Sequence, residues 1–363
     1  MRLTERRLTL RYLERQLLLA RSPMGSGQAV RLLLGLQAQY SPSPYLALLA
    51  RLDGASTTGL EDCLRDATVV KSTLMRGTLH LVAGADYPVW GEIWREQATE
   101  HWSRRCPGLD EKTAAAVAEF TREPREREEL RAFMGELTGD AVTPRELLHV
   151  ARALVPLVQP PPSGFWRHHG KASLQCHREP PELVGPAAMG RWLRAYLTAY
   201  GPAGLRDAAK FAGLTVGRVR AGLPYAGPVE RLEGPDGRDL LDVPDAMDPD
   251  EGVRVPFRLL PKWDSALLAH TDRGRIMDPE VQRRVVNRSN GDVAATYLVD
   301  GRVAGTWSAG EKGSAARLVL TPLVRAELPD DAEPEGVRLL RFLHPRAARH
   351  SGEAAPFDGD PLP

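Results

Sequence analysis

Gln37 and Gln39, in the stretch LLLGLQAQYSPSP (residues 32–44), are two neutral amides separated by one residue. Each carboxamide carries a carbonyl acceptor and two N–H donors, and neither gains or loses a proton near neutral pH. The ordinary use of such a pair is to cap backbone groups or to meet solvent at a helix end, and a spacing of two does not by itself point elsewhere. On a helix the two side chains reach different faces, so a groove at the helix end is needed for both to touch one ligand. Pro42 and Pro44 follow and are expected to stop the helix without help from a glutamine. Other chemistry is less well supported. Gly-rich phosphate loops and Ser/His/Asp signatures are absent. His168, His169, Cys176 and His177 are four potential metal ligands whose spacings match no zinc-binding pattern, so no metal or other cofactor is expected.

The elements that must position the two amides read as follows. ERRLTLRYLERQLLLA carries apolar residues at helical spacing, and QAVRLLLGLQAQ reads as a second helix with the glutamines at its end. YLALLARL and TTGLEDCLRDA give two more helices, the latter capped at Thr57 or Thr58. TVVKSTLMRGTLHLV then reads as two strands around Arg76-Gly77. Short helices closed by a hairpin are the pattern of a winged helix, placed here at residues 1–85. A second copy is expected within 86–180, with TPRELLHVARAL as its helix and GFWRHHGKASLQCH as its wing. The third, at 181–252, has a helix, Gly213 in the turn, a second helix capped by Thr215, and strands around Pro235-Asp236-Gly237. A β-rich region at 253–350 contains a hairpin at Asp300-Gly301, and 351–363 reads as a frayed tail. The expected fold class is therefore α+β and rich in helix: three tandem winged-helix modules followed by a β-rich C-terminal region.

The 363 residues carry a formal net charge of +1, and no apolar run is long enough to cross a bilayer. The N-terminus has no signal-peptide pattern, and Cys63, Cys106 and Cys176 form no disulfide framework, which fits a reducing cytoplasm. Charge is unevenly spread. Acids crowd residues 233–251 and 327–335, while arginines punctuate the first helix and the 273–288 stretch. That pattern permits nucleic-acid binding without requiring it. The second helix of the third module offers only Arg218 and Arg220 as base readers, which is thin for sequence-specific recognition. Asp264 in LPKWDSALL is expected to be structural and to pair with Arg273 or Arg275.

Gln37-Ala38-Gln39 in LLGLQAQYSPSPYLALLARL, followed by VVKSTLMRGTLHLV and LLPKWDSALLAHTDRGR, resembles the AlkZ-type family of winged-helix DNA glycosylases over about residues 3 to 345. Gln39 places the resemblance in that branch, since the related YcaQ branch is expected to carry Asp there. The resemblance implies a monofunctional DNA glycosylase acting on N7-alkylated purines and unhooking interstrand crosslinks of the azinomycin B type, as a self-resistance function. Gln37 and Gln39 would position a water and stabilise an oxocarbenium-like sugar, a task suited to amides when the leaving base is already cationic. No lysine lies in the motif to form a Schiff base. The resemblance further implies Lys71, Arg76, His80, Arg275, Arg284 and Arg288 as DNA contacts, and the Asp300-Gly301 hairpin as a wedge in the minor groove. The expected partner is duplex DNA carrying alkylated or crosslinked purines, bound by a monomer. A transcription regulator with tandem winged helices and a drug-sequestering protein are the alternatives.

Overall fold

The computed structural model describes residues 2–106, 109–287, 289 and 291–357. Its helices are α1 Glu5–Arg15, α2 Ser26–Leu32, α3 Ser43–Arg51, α4 Thr57–Arg65, α5 Tyr87–Arg105, α6 Glu111–Phe120, α7 Arg127–Thr138, α8 Leu147–Leu154, α9 Gly185–Tyr200, α10 Leu205–Ala212, α11 Val216–Gly222, α12 Pro279–Val285 and α13 Ala332–Leu343. Strands β1 Leu36–Gln37, β2 Val69–Thr73, β3 Leu79–Ala83, β4 Arg125–Glu126, β5 Leu157–Val158 and β6 Ser173–Cys176 form one sheet in the order β1-β3-β2-β5-β6-β4. A two-stranded ribbon pairs β7 Glu230–Glu233 with β8 Asp239–Asp242. The C-terminal sheet runs β13-β12-β11-β10-β9, from Arg349–Ala354, Ala315–Pro322, Arg302–Lys312, Thr296–Val299 and Arg258–Leu260. The chain is thus a mixed α+β protein.

The buried helix α9 packs against α1, α5, α10 and α11. Trp192, Tyr196 and Tyr200 recur every four residues along its inner face, and Phe211 of α10 packs against all three with ring centroids 4.8 to 6.4 Å apart. The acid-rich segment that the sequence sets apart has a structural use. Asp242 pairs with Arg15 at 2.6 Å and Arg11 at 3.3 Å, and Asp248 with Arg11 at 2.7 Å and with Arg7. The arginines of α1 thus have acidic partners within the chain.

The structure corrects several local expectations. The helix at 28–39 stops at Leu32, and residues 36–37 are a strand. Pro42 and Pro44 begin α3 rather than end α2, as suits a ring that fixes φ and needs no amide hydrogen in the first turn. Ser56, not Thr57 or Thr58, caps α4 by accepting from the Gly59 N–H. The second module has no separate wing, since β5 and β6 extend the first sheet through the Ser72–Val158 pairing. The Asp300-Gly301 turn is not a projecting tip. A Cβ on Gly301 would lie 2.5 Å from Leu13, and Arg6 of α1 pairs with Asp300 at 2.9 Å. Asp264 pairs with Arg51, at 2.7 and 2.8 Å, instead of Arg273 or Arg275. Residues 351–354 of the expected tail belong to β13, parallel to β12, and residues 358–363 lie outside the described residues.

Candidate active site

After α2 the chain reverses through Leu34 and Gly35, at φ of 56° and 92°. A Cβ at Gly35 would come 2.7 Å from the Leu81 carbonyl oxygen, so only glycine allows this approach to β3. The chain then extends along β3, with Leu36 opposite Leu81, Gln37 opposite His80, and the Ala38 N–H donating to the Leu79 carbonyl at 2.7 Å. Extended backbone alternates its side chains. Leu36 and Ala38 enter the core shared with α2, α3 and α4, and Gln37 and Gln39 stay out of it. Gln37 is buried and Gln39 is exposed.

Arg76 fixes the first amide. It sits in the β2–β3 turn at φ 57°, and its Nη2 donates to Gln37 Oε1 at 3.0 Å while Nη1 donates to the Phe211 carbonyl at 2.6 Å. A guanidinium has only donors, so the carboxamide oxygen must face it and Gln37 Nε2 is turned away. Gln39 Oε1 in turn takes a long hydrogen bond of 3.4 Å from the Leu79 N–H. Both amides thus have one carbonyl lone pair engaged by the protein, with the N–H₂ groups left for something else.

The charge on Arg76 is unusually placed. No carboxylate pairs with it among the described residues. It stacks over the Phe211 ring at 4.6 Å and meets the last carbonyls of α10, which carry the negative end of that helix dipole. Gly213, in the left-handed conformation that ends α10, allows this contact, because a Cβ there would be 2.9 Å from Arg76 Cα. Burial pushes the guanidinium down to about 10, still charged at neutral pH. Beneath the pair, His80 is fully buried. Its Nδ1 lies 3.0 Å from the Thr78 carbonyl and so carries the proton, while Nε2 has no partner among the described residues. Burial, aided by Arg76, lowers His80 to about 3 and keeps it neutral.

The other residues singled out in the sequence do not join this group. Lys71 neighbours Ser72 on β2 and therefore projects from the opposite sheet face, into a cavity of about 310 Å³ with Gln159, Ser163 and His168. Burial lowers its amine to about 8. Arg275 is buried, donating to the Pro202 carbonyl at 3.0 Å with its guanidinium 5.6 Å from the Tyr12 ring, so its charge serves the interior. Burial likewise withdraws His80 from outward contact, while Lys71 lines its cavity. Arg284 is exposed on α12, and Arg288 lies outside the described residues. Sequence reading overlooked Tyr40, an exposed aromatic directly after Gln39. It also overlooked Phe211, whose carbonyl and ring hold Arg76 from 135 residues away. No local pattern marks such a contact.

The chain matches the AlkZ-like DNA glycosylase family over residues 30–342. No curated protein matches it by sequence. Among solved structures, the Streptomyces sahachiroi DNA glycosylase AlkZ is similar, with a TM-score of 0.81 and 20% identity, covering 98% of this chain and 100% of that one. At that identity the likeness is one of fold.

Proposed function

This chain belongs to the AlkZ-like DNA glycosylase family, and from that premise we propose that it hydrolyses the N-glycosidic bond of N7-alkylated purines in duplex DNA, including interstrand crosslinks of the azinomycin B type. The observation that carries this reading is the neutral amide pair. Gln37 and Gln39 flank Ala38 at the edge of β3, Arg76 holds the first, the Leu79 N–H meets the second, and no carboxylate bonds to any of the three side chains among the described residues. Alkylation at N7 makes the base cationic. When the C1′–N9 bond breaks, its electron pair stays on N9 and the departing base becomes neutral, so no acid is needed to protonate the leaving group. The enzyme has to hold a water near C1′ and to stabilise the sugar cation as it forms. The amides can order the water, which adds its oxygen to C1′ and releases a proton to solvent. An undamaged nucleoside, whose base is a poor leaving group, gains little from such a site. That difference provides selectivity without a damage-specific pocket.

On this reading the enzyme is monofunctional, works as a monomer without a cofactor, and gives self-resistance by excising the lesion. The regulator alternative is weakened by α11, where Arg218 is held by Glu96 at 2.8 Å and is not free to read a base edge. The direct test is base release from duplexes carrying 7-methylguanine or an azinomycin crosslink, with Gln37→Ala and Gln39→Ala variants that retain the wild-type unfolding midpoint. Release by the wild type, strongly slowed in at least one variant, supports the proposal. Absence of release from both substrates refutes it. Protection that occurs only before the drug has reacted with DNA would instead indicate sequestration.

A further inference from the structure

A cavity of about 340 Å³ opens between α5 and α8, bordered by the β2 end of the candidate active site. Gln37 lies opposite His80, and His80 opposite Ser72, so the three side chains leave the same sheet face. Two strand spacings put Ser72, which borders the cavity, roughly 10 Å from Gln37. At the cavity floor the Ser72 and Tyr87 hydroxyls lie 3.3 Å apart, and both are directed at the Leu157 carbonyl. The wall is one stripe of α5 in which Tyr87, Trp94 and Trp102 alternate with Gly91 and Ala98. The Tyr87 ring covers Gly91, 3.3 Å from where a Cβ would stand, so the slot is the part of the cavity bordered by Ala98, Trp94 and Trp102, and the volume is at the lower end of the range for small-ligand sites, about 300–1,000 Å³.

Arg152 of α8 also borders the cavity, is mostly buried, and has no carboxylate partner among the described residues. Its Nη1 reaches only the Leu148 carbonyl of its own helix, at 3.4 Å. Burial lowers Arg152 to about 10, with Arg127 and Arg131 adding repulsion, so a bound acceptor would relieve it. Nearby His149 is lowered by burial and by Arg152. The slot therefore combines aromatic walls with an uncompensated cation.

We propose that this slot receives the excised base: the neutral, planar N7-alkylated purine that leaves the candidate active site. The inference rests on the glycosylase reading above. Before cleavage the alkylated base is a cation, and Arg152 repels it. After cleavage the base is neutral and presents its carbonyl and ring-nitrogen lone pairs, which a guanidinium donates to, while its face stacks on the indoles. The slot thus favours the product over the bound substrate and draws the base away from the sugar.

The test uses free 7-methylguanine as ligand and the full-length protein, with calorimetric titration and inhibition of base release as readouts. At mildly acidic pH the cationic nucleoside 7-methylguanosine serves as the contrast. Expected is saturable binding of the free base, competitive with alkylated DNA, and binding of the nucleoside weaker by roughly tenfold. Ala98→Phe, which fills the slot, should abolish base binding, and Arg152→Met should remove the preference for base over nucleoside. Absence of base binding by a wild type that releases base overturns the inference and leaves the glycosylase reading intact. So does equal affinity for the two ligands, or wild-type binding by Ala98→Phe. If the free base binds but no alkylated duplex loses its base, the glycosylase substrate reading fails, and with it the role of exit site.

Discussion

Replacing Arg76 with Met separates two roles for this residue: a phosphate contact and a support for Gln37. The change removes the Nη2 donor that holds Gln37 Oε1 at 3.0 Å. A hydrogen bond from a charged donor contributes about 1.5–3 kcal/mol. If that interaction keeps the amide in its working orientation, the chemical step slows by roughly 10- to 100-fold, since each 1.36 kcal/mol is a factor of ten. Global stability should change much less. The Phe211 carbonyl loses a partner and the ring loses its cation, but the fold also sheds a buried charge that no carboxylate balances. The assay is single-turnover base release from a 7-methylguanine duplex, alongside duplex affinity over a series of salt concentrations. A support role predicts a slow chemical step, unchanged affinity and an unchanged salt slope. Lys at position 76 should rescue poorly, because it lacks the planar fork that meets two carbonyls at once. The reasoning is refuted if Arg76→Met keeps its single-turnover rate while affinity falls and the salt slope drops by about one.

Lys71 provides a control on mechanism: at about 8 its amine is partly neutral near physiological pH, yet it leaves the opposite face of the sheet. Borohydride added during turnover should trap no covalent enzyme–DNA adduct, and an adduct mapped to Lys71 would overturn the monofunctional reading. Arg284→Ala on α12 should weaken duplex binding for all sequences alike and lower the salt slope by about one, with single-turnover rates unchanged at saturation; an unaltered slope would remove Arg284 from the interface. Asp264→Asn weakens the buried pairing of Arg51 and should cost up to about 3–5 kcal/mol in denaturant unfolding, whereas an apolar pair at both positions should cost less. His80 is held neutral to about 3, so the unfolded chain takes up a proton below its reference value of 6.5 while the folded chain does not. Stability is therefore complete above that value and falls with acidification, by about 2 kcal/mol at pH 5 from this group alone. Unfolding curves for wild type and His80→Gln at both pH values check it, and equal acid losses would refute it.

Much of the fold was legible because it rests on local chemistry. The α10–α11 turn shows this, with Gly213 left-handed and Thr215 accepting from the Arg218 N–H, as the turn and cap residues suggested. The β10–β11 turn likewise falls at Asp300-Gly301, both at positive φ. Where the sequence misled, a distant partner had decided the matter. Asp242 and Asp248 look like a solvated acidic run until α1 is placed against them, and Arg275 looks like a phosphate contact until the interior closes over it. The amide pair is the sharpest instance. LLLGLQAQ reads as helix because leucines favour it, yet Leu34 and Gly35 reverse the chain and β3 takes up the backbone that follows. On a helix, two residues apart means roughly opposite faces, and the spacing of Gln37 and Gln39 then says nothing. On extended chain the same spacing can mean one face, and here Leu36 and Ala38 enter the core while neither glutamine does. Whether the motif was informative therefore depended on Gly35. Its Cβ-free approach to the Leu81 carbonyl permits the strand, and only the strand gives the two-residue spacing a chemical meaning.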